Sequence, residues 1–247
     1  MRYKITVEYD GTNLVGWQKQ KDGPSVQEFL ERAINGFSHQ TTEVYGAGRT
    51  DAGVHALAQV AHFDLDSPLN AFKMQESLNA LLRKLHAPVA VINTEIVDKN
   101  FHARFSAKGR GYIYRLLNRR GATPLRLNRV WHLPFPTLDI AAMRDGAQYL
   151  LGNHDFSSFR GAGCQALSPV KTLDKLDIDM AGDEIIFTVE ARSFIYHQVR
   201  NMVGTLAEVG SGKLAPEDVK RILEAKDRTK AGISAPACGL YLNKVMY

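Results

Sequence analysis

The chain has 247 residues, 45% of them hydrophobic and 23% charged, with 31 Lys and Arg against 26 Asp and Glu for a net charge of +5. That length buries a substantial core, as one large domain or two of ordinary size, and the composition is globular rather than disordered or fibrous. No apolar run approaches a membrane span, the opening MRYKITVEYD alternates instead of forming a signal core, and Cys164 and Cys238 give neither a disulfide framework nor metal-ligand spacing. A cytoplasmic protein with no membrane contact and no metal site is the expectation.

The first predicted strand, Arg2 to Asp10, alternates strictly and puts Tyr3, Ile5, Val7 and Tyr9 on one face. A helix follows from about Ser25, where Ser25 and Glu28 have capping-box spacing and Val26, Phe29, Leu30, Ala33, Ile34 and Phe37 recur at helical intervals. Glu43 to Gly46 and His55 to Leu65 read as strands on either side of a glycine-rich turn, Asn70 to Leu85 as a helix and Val89 to Val97 as a strand, so the first half is βαββαβ. The second half repeats that order: a strand at Lys108 to Asn118, a helix from Asp139 to Leu151, strands at Val170 to Met180 and Glu184 to Phe194 joined by a hairpin at 181–183, a helix from Tyr196 to Gly210, a short helix from Pro216 to Ala225, and a last strand from Leu240 to Tyr247. The fold class expected is α+β: two ferredoxin-like halves, residues 1–104 and 105–247, joined in a continuous, mainly antiparallel sheet with a central cleft. Fold order alone does not assign a function.

Chemistry concentrates in Gly48 to Ala56, GRTDAGVHA. Gly48 and Gly53 let the backbone turn sharply around Asp51, and the permanently charged Arg49 nearby favours the ionised carboxylate that a nucleophile or general base needs. Asp and Gly between strands also make ordinary turns, so this reading needs partners. One lies in RSFIYHQVRNMVG from Arg192, where helical spacing puts His197, Arg200 and Asn201 on one face and Val199, Met202, Val203 and Leu206 toward the core. Arg200 then points into the cleft or makes a surface ion pair. Tyr112, preceded by Gly109 and Gly111, is either a packed strand residue or a platform for a base. His55, Gln59 and His62 have no acid or Cys at ligand spacing and read as structural.

Between Lys99 and Leu138 lie nine Lys or Arg and no Asp or Glu, so the whole positive excess sits in one band interleaved with Phe101, Phe105, Tyr112, Tyr114 and Trp131. Such a band suits a phosphate backbone with stackable bases nearby, the alternative being a solvated face.

Six stretches, YDGTNLVGWQKQ from Tyr9, GRTDAGVHA from Gly48, FHARFSAKGRGYIY from Phe101, GNHDFSSFR from Gly152, RSFIYHQVRNMVG from Arg192 and APACGLYL from Ala235, resemble the TruA family of tRNA pseudouridine synthases along the whole chain. Leu14 departs from the family's usual aromatic residue. The resemblance implies isomerisation of uridine to pseudouridine at positions 38, 39 and 40 of the tRNA anticodon stem-loop, by a homodimer whose partner is tRNA and which needs no cofactor. It makes Asp51 the catalytic nucleophile, Arg49 the residue that helps hold the target nucleotide out of its stack, Tyr112 the tyrosine against the base, and Arg200 the arginine paired with the aspartate. His55, Lys108, Arg110, Leu240 and Leu242 complete the expected substrate-binding set. Two rivals stand beside this reading: a structured-RNA-binding protein without catalysis, which lacks the expected aromatic RNP signature, and a small-molecule nucleoside enzyme, which has no use for the basic band.

Overall fold

The computed structural model describes residues 1–247, and the chain is α+β, in two compact units: Met1–Lys108 with Tyr241–Tyr247, and Gly109–Leu240. In the first unit, β1 (Arg2–Tyr9) is flanked by β3 (His55–Asp64) and β4 (Val89–Val97), both antiparallel. The far edge of β3 is shared by two short partners. The two-residue β2 (Tyr45–Gly46) pairs antiparallel with His62 and Ala61, and β10 (Leu240–Met246) pairs parallel with His55 and Ala56 through Tyr241 and Leu242. The order β4-β1-β3-β2 is that of a ferredoxin-like βαββαβ unit. Tyr3, Ile5, Val7 and Tyr9 are each at most 3% exposed, and the apolar stripes of α1 (Val26–Ser38) and α2 (Ala71–Lys84) supply Val26, Leu30, Ile34, Met74, Leu78 and Leu82 to the same core. Burial of these side chains, at roughly 1.5–3 kcal/mol each, is what holds the helices on the sheet. Ser25 caps α1 by accepting from the Glu28 amide at 3.2 Å, and Asn70 caps α2 by accepting from Lys73 at 2.9 Å.

In the second unit the sheet runs β5 (Gly109–Leu117), β9 (Glu184–Ala191), β8 (Val170–Ala181), β7 (Gly152–Asp155), with β6 (Trp131–His132) parallel on β5 at Leu116 and Leu117. The helices are α3 (Ile140–Gln148), α4 (Gln198–Gly210) and α5 (Pro216–Ala225). Of α4, only Arg200 and Glu208 are not buried. No helix is long and apolar enough to cross a membrane.

Three observations differ from the sequence expectation. The contact boundary falls after Lys108, and the last strand groups with the first unit because its parallel pairing is with β3. The helix expected from Tyr196 starts at Gln198 instead, since His197 takes a left-handed φ of 61° that no α-helix accommodates. Asn201, expected on the polar face, is 1% exposed, donates to the Phe159 carbonyl at 2.9 Å and accepts from Arg228 at 3.2 Å.

Candidate active site

The turn that carries Asp51 is built by backbone approach. The Trp17 amide donates to the Thr50 carbonyl at 3.1 Å, the Gly53 amide to Leu14 at 3.3 Å, and the Val54 amide closes the turn on the Asp51 carbonyl at 3.1 Å. The loop at 11–17 therefore lies directly on the aspartate turn. Gly11 and Gly16 make that approach possible: a Cβ at Gly11 would stand 2.1 Å from the Val54 oxygen, and one at Gly16, whose φ is 105°, 2.3 Å from the Thr50 oxygen. Gly53 turns the chain at φ 77°.

Buried side chains fix the same turn from below. The Tyr9 hydroxyl meets Thr50 Oγ1 at 2.7 Å, and the Gln59 amide donates to the Gly48 carbonyl at 2.8 Å from a fully buried position. Opposite, the loop is tied to the start of α1, with Val26 donating to Gly16 at 3.2 Å and Gln27 to Trp17 at 3.0 Å. Asp51 ends half-buried and Arg49 exposed, on a turn with backbone restraints at residues 48, 50, 51 and 53. A carboxylate so held needs little reorganisation to meet a substrate.

His55, expected to touch substrate, is 1% exposed. Its Nδ1 lies 3.0 Å from the Gly11 amide and 3.1 Å from Asp10 Oδ1, and its ring stacks on Tyr241 at 4.7 Å. With its lone pair Nδ1 accepts from the Gly11 amide, and this tie joins the end of β1 to the start of β3. A ring in that position fastens the loop and offers no open edge to a ligand. Leu242 is likewise fully buried and Leu240 is 6% exposed, which makes them packing residues in this conformation.

In the second unit, Arg200 is oriented by groups around it. Its Nε donates to the Ala235 carbonyl at 2.7 Å, its own carbonyl accepts from the Ala235 amide at 3.1 Å, and Nη1 is 3.1 Å from His197 Nε2. Burial, then the charges of Arg200 and Arg228, push the His197 pKa down to about 4. A neutral imidazole offers Nε2 as acceptor to the guanidinium, so the left-handed His197 becomes a rest for Arg200. Tyr112 is half-buried on β5, edge-on to Phe194 at 5.1 Å. Arg110 donates to the Arg192 carbonyl at 3.0 Å, and Lys108 is exposed.

The basic band is partly compensated in space. Glu184, 3% exposed, takes two hydrogen bonds from Arg115 at 2.9 and 3.0 Å and pairs with Arg126, while Asp183 pairs with Arg119 at 3.3 Å. Three of the nine cations thus face acids of the β8–β9 hairpin, which sequence order alone separates from them. Sequence reading also passed over Gln59 as a clamp on the turn. The available signal was an amide at a strand position where its neighbours Val60 and Ala61 are core residues. No group of three or more His, Cys, Asp or Glu is close enough to share a metal ion.

Asp51 is thus held on a glycine turn clamped within the first unit, and Arg200 is braced within the second. The family described as tRNA pseudouridine synthase matches residues 5–106 and 147–247. The chain belongs to the tRNA pseudouridine synthase family, isomerases that convert uridine to pseudouridine. Among its relatives, the tRNA pseudouridine synthase A of Paramagnetospirillum magneticum is 53% identical over 100% of this chain and 95% of that protein, and the one of Rhodospirillum centenum 54% identical over 100% and 99%. That of Ehrlichia chaffeensis is 50% identical over the full length of both. Similarity to solved structures is weaker: a chain of a Cbf5-Nop10-Gar1 complex aligns over 98% of this chain and 49% of its own at a TM-score of 0.37 and 11% identity, so the assignment rests on sequence.

Proposed function

We propose that this enzyme modifies uridines 38, 39 and 40 of the tRNA anticodon stem-loop, in the cytoplasm and as a homodimer, with Asp51 as the nucleophile. Arg49 holds the extruded nucleotide, Tyr112 packs against its base, and Arg200 is the arginine paired with the aspartate. Arg110 and Lys108 contact the RNA. The observation that carries this reading is the GRTDAGVHA turn itself, a half-buried carboxylate whose backbone is fixed at residues 48, 50, 51 and 53. Uracil cut from ribose has to be kept in place while it turns, and a carboxylate held on a fixed turn serves that need. Extruding a paired base costs about a few kcal/mol, part of which Arg49 and Tyr112 offset by holding it outside the stack.

Tritium release from tRNA transcripts labelled at uracil C5 tests the assignment. Wild type should release tritium from substrates with uridine at 38, 39 or 40, and Asp51→Asn should release none while binding tRNA within an order of magnitude of wild type. Release by wild type only from other uridines would remove the positional claim, and release by Asp51→Asn would remove Asp51 from the chemistry.

A further inference from the structure

The first unit carries a second ordered cluster on the sheet face turned away from α1 and α2. Lys4 alternates with the buried Tyr3 and Ile5 and pairs in register with His62, which also pairs with Tyr45. Four rings follow one another there. Tyr45 stacks on His62 at 5.2 Å and 23°, His62 meets His102 at 4.6 Å, and His102 meets Phe105 at 4.4 Å. His62 is 2% exposed, whereas Tyr45 is 42% and Phe105 76% exposed. The row is anchored in its middle and open at both ends.

The turn bearing His102 and Phe105 is closed on itself. The His102 amide donates to Ser106 Oγ at 3.0 Å, the Ser106 amide returns to the His102 carbonyl at 2.9 Å, and His102 Nδ1 accepts from the Arg104 amide at 3.1 Å. Fully buried Ala103 pins the turn to the sheet, donating to His62 Nδ1 at 3.2 Å and accepting from the Tyr247 hydroxyl at 2.8 Å. The turn thus holds the Phe105 ring outward, 76% exposed, where it adds little to the burial that stabilises the fold.

Charge indicates that use. The Arg104 guanidinium lies over the Phe105 ring at 5.7 Å, Lys4 approaches the Phe101 and Tyr247 rings at 5.8 and 5.3 Å, and Lys99 and Lys108 are exposed on the same segment. Burial lowers the pKa of His62 to about 4 and also lowers that of His102, so both rings are uncharged at neutral pH. Lys4 is paired with Glu95 at 3.2 Å and the Tyr45 hydroxyl donates to Glu43 at 2.6 Å, so the cationic side of the row is the one that carries Arg104, Lys99 and Lys108. Neutral rings beside those cations suit a nucleobase and its phosphates, since every base offers a π-face and each phosphate a negative charge.

We propose that Tyr45, His102 and Phe105 form a stacking platform for an unpaired nucleobase of the RNA substrate, a contact separate from the aspartate turn. The proposal rests on tRNA being the substrate. Phe105→Ala and Tyr45→Ala, with Phe105→Trp as the aromatic replacement, test it by tRNA affinity at fixed salt, KM and kcat from tritium release, and sedimentation velocity. Because both side chains are exposed, the thermal midpoint should stay at the wild-type value. Phe105→Ala should weaken tRNA binding about tenfold, within the range that loss of one stacked base gives, and KM should rise far more than kcat falls. Phe105→Trp should restore affinity. Wild-type affinity in both alanine variants overturns the platform while leaving the synthase reading intact. Loss of self-association in place of tRNA affinity overturns it in favour of a protein interface. A wild-type protein that releases no tritium and binds no tRNA removes both.

Discussion

The Gln59 side-chain amide donates to the Gly48 carbonyl oxygen at 2.8 Å, from a position with no solvent exposure, and so ties the entrance of the aspartate turn to the strand that leaves it. Gln59→Met keeps the length and removes the donor, leaving a polar oxygen without its partner at a cost of about 1–3 kcal/mol. Turnover should fall by more than tRNA affinity, because the turn with Asp51 and Arg49 is displaced while Lys108 and Arg110 are not. Urea denaturation and single-turnover tritium release check the two parts; unchanged turnover at lowered stability would reduce Gln59 to a packing role.

Gly16 supports that turn from the opposite side. Gly16→Ala combines a φ of 105° with a Cβ 2.3 Å from a backbone oxygen that cannot swing away. Left-handed strain of about 1–2 kcal/mol and overpacking of about 1–3 kcal/mol add to a loss large enough to unfold a marginal domain. Gly48→Ala, where nothing lies within 4 Å of the added Cβ, is the control and should fold. Equal urea midpoints for the two variants would contradict the close approach.

Most of the fold was legible because it rests on local patterns. The alternation of Tyr3, Ile5, Val7 and Tyr9, the Ser25 and Asn70 caps, and the apolar spacing of α1 and α2 are each set within one turn or a few residues of strand. What stayed hidden depends on distant partners. The two-residue β6 and the four-residue β7 are too short to show a period, and are strands only because Leu116–Leu117 and Val170–Leu173 lie alongside. The left-handed His197 is imposed by its surroundings, since His has no intrinsic preference for it strong enough to read. Of the candidate site, the Asp51 turn was visible as a motif, but its clamps Tyr9 and Gln59 come from neighbouring strands, and the compensation of Arg115 by Glu184 crosses 69 residues of chain.

Acid should weaken the fold through two histidines. His62 and His197 have pKa values of about 4 against 6.5 in the unfolded chain, with burial the largest cause for both. Between those values the unfolded chain binds the extra protons, so their stabilising contribution is complete above pH 6.5 and is lost as pH falls toward 4. His197→Asn, which tolerates the left-handed backbone, should show a smaller drop in urea midpoint from pH 7 to pH 5 than wild type does. Identical drops would place the acid sensitivity elsewhere.

Glu184 and Lys108 separate stability from RNA affinity. Glu184→Gln removes the charge that two half-exposed arginines face and should cost roughly 1–3 kcal/mol, read as a lower urea midpoint. Lys108→Gln, an exposed change, should leave the midpoint alone and reduce the salt slope of tRNA binding by about one unit. An unaltered slope would turn this part of the band away from the RNA.

The parallel pairing of Tyr241 and Leu242 with His55 and Ala56, and the Tyr247 hydroxyl on Ala103, have a consequence for biosynthesis. The sheet that shapes the aspartate turn lacks a strand until all of the second unit has been translated. An emerging chain therefore carries the Asp51 turn long before it has the His55–Tyr241 stack beneath it, and the first unit closes only after the residues of the second have been made.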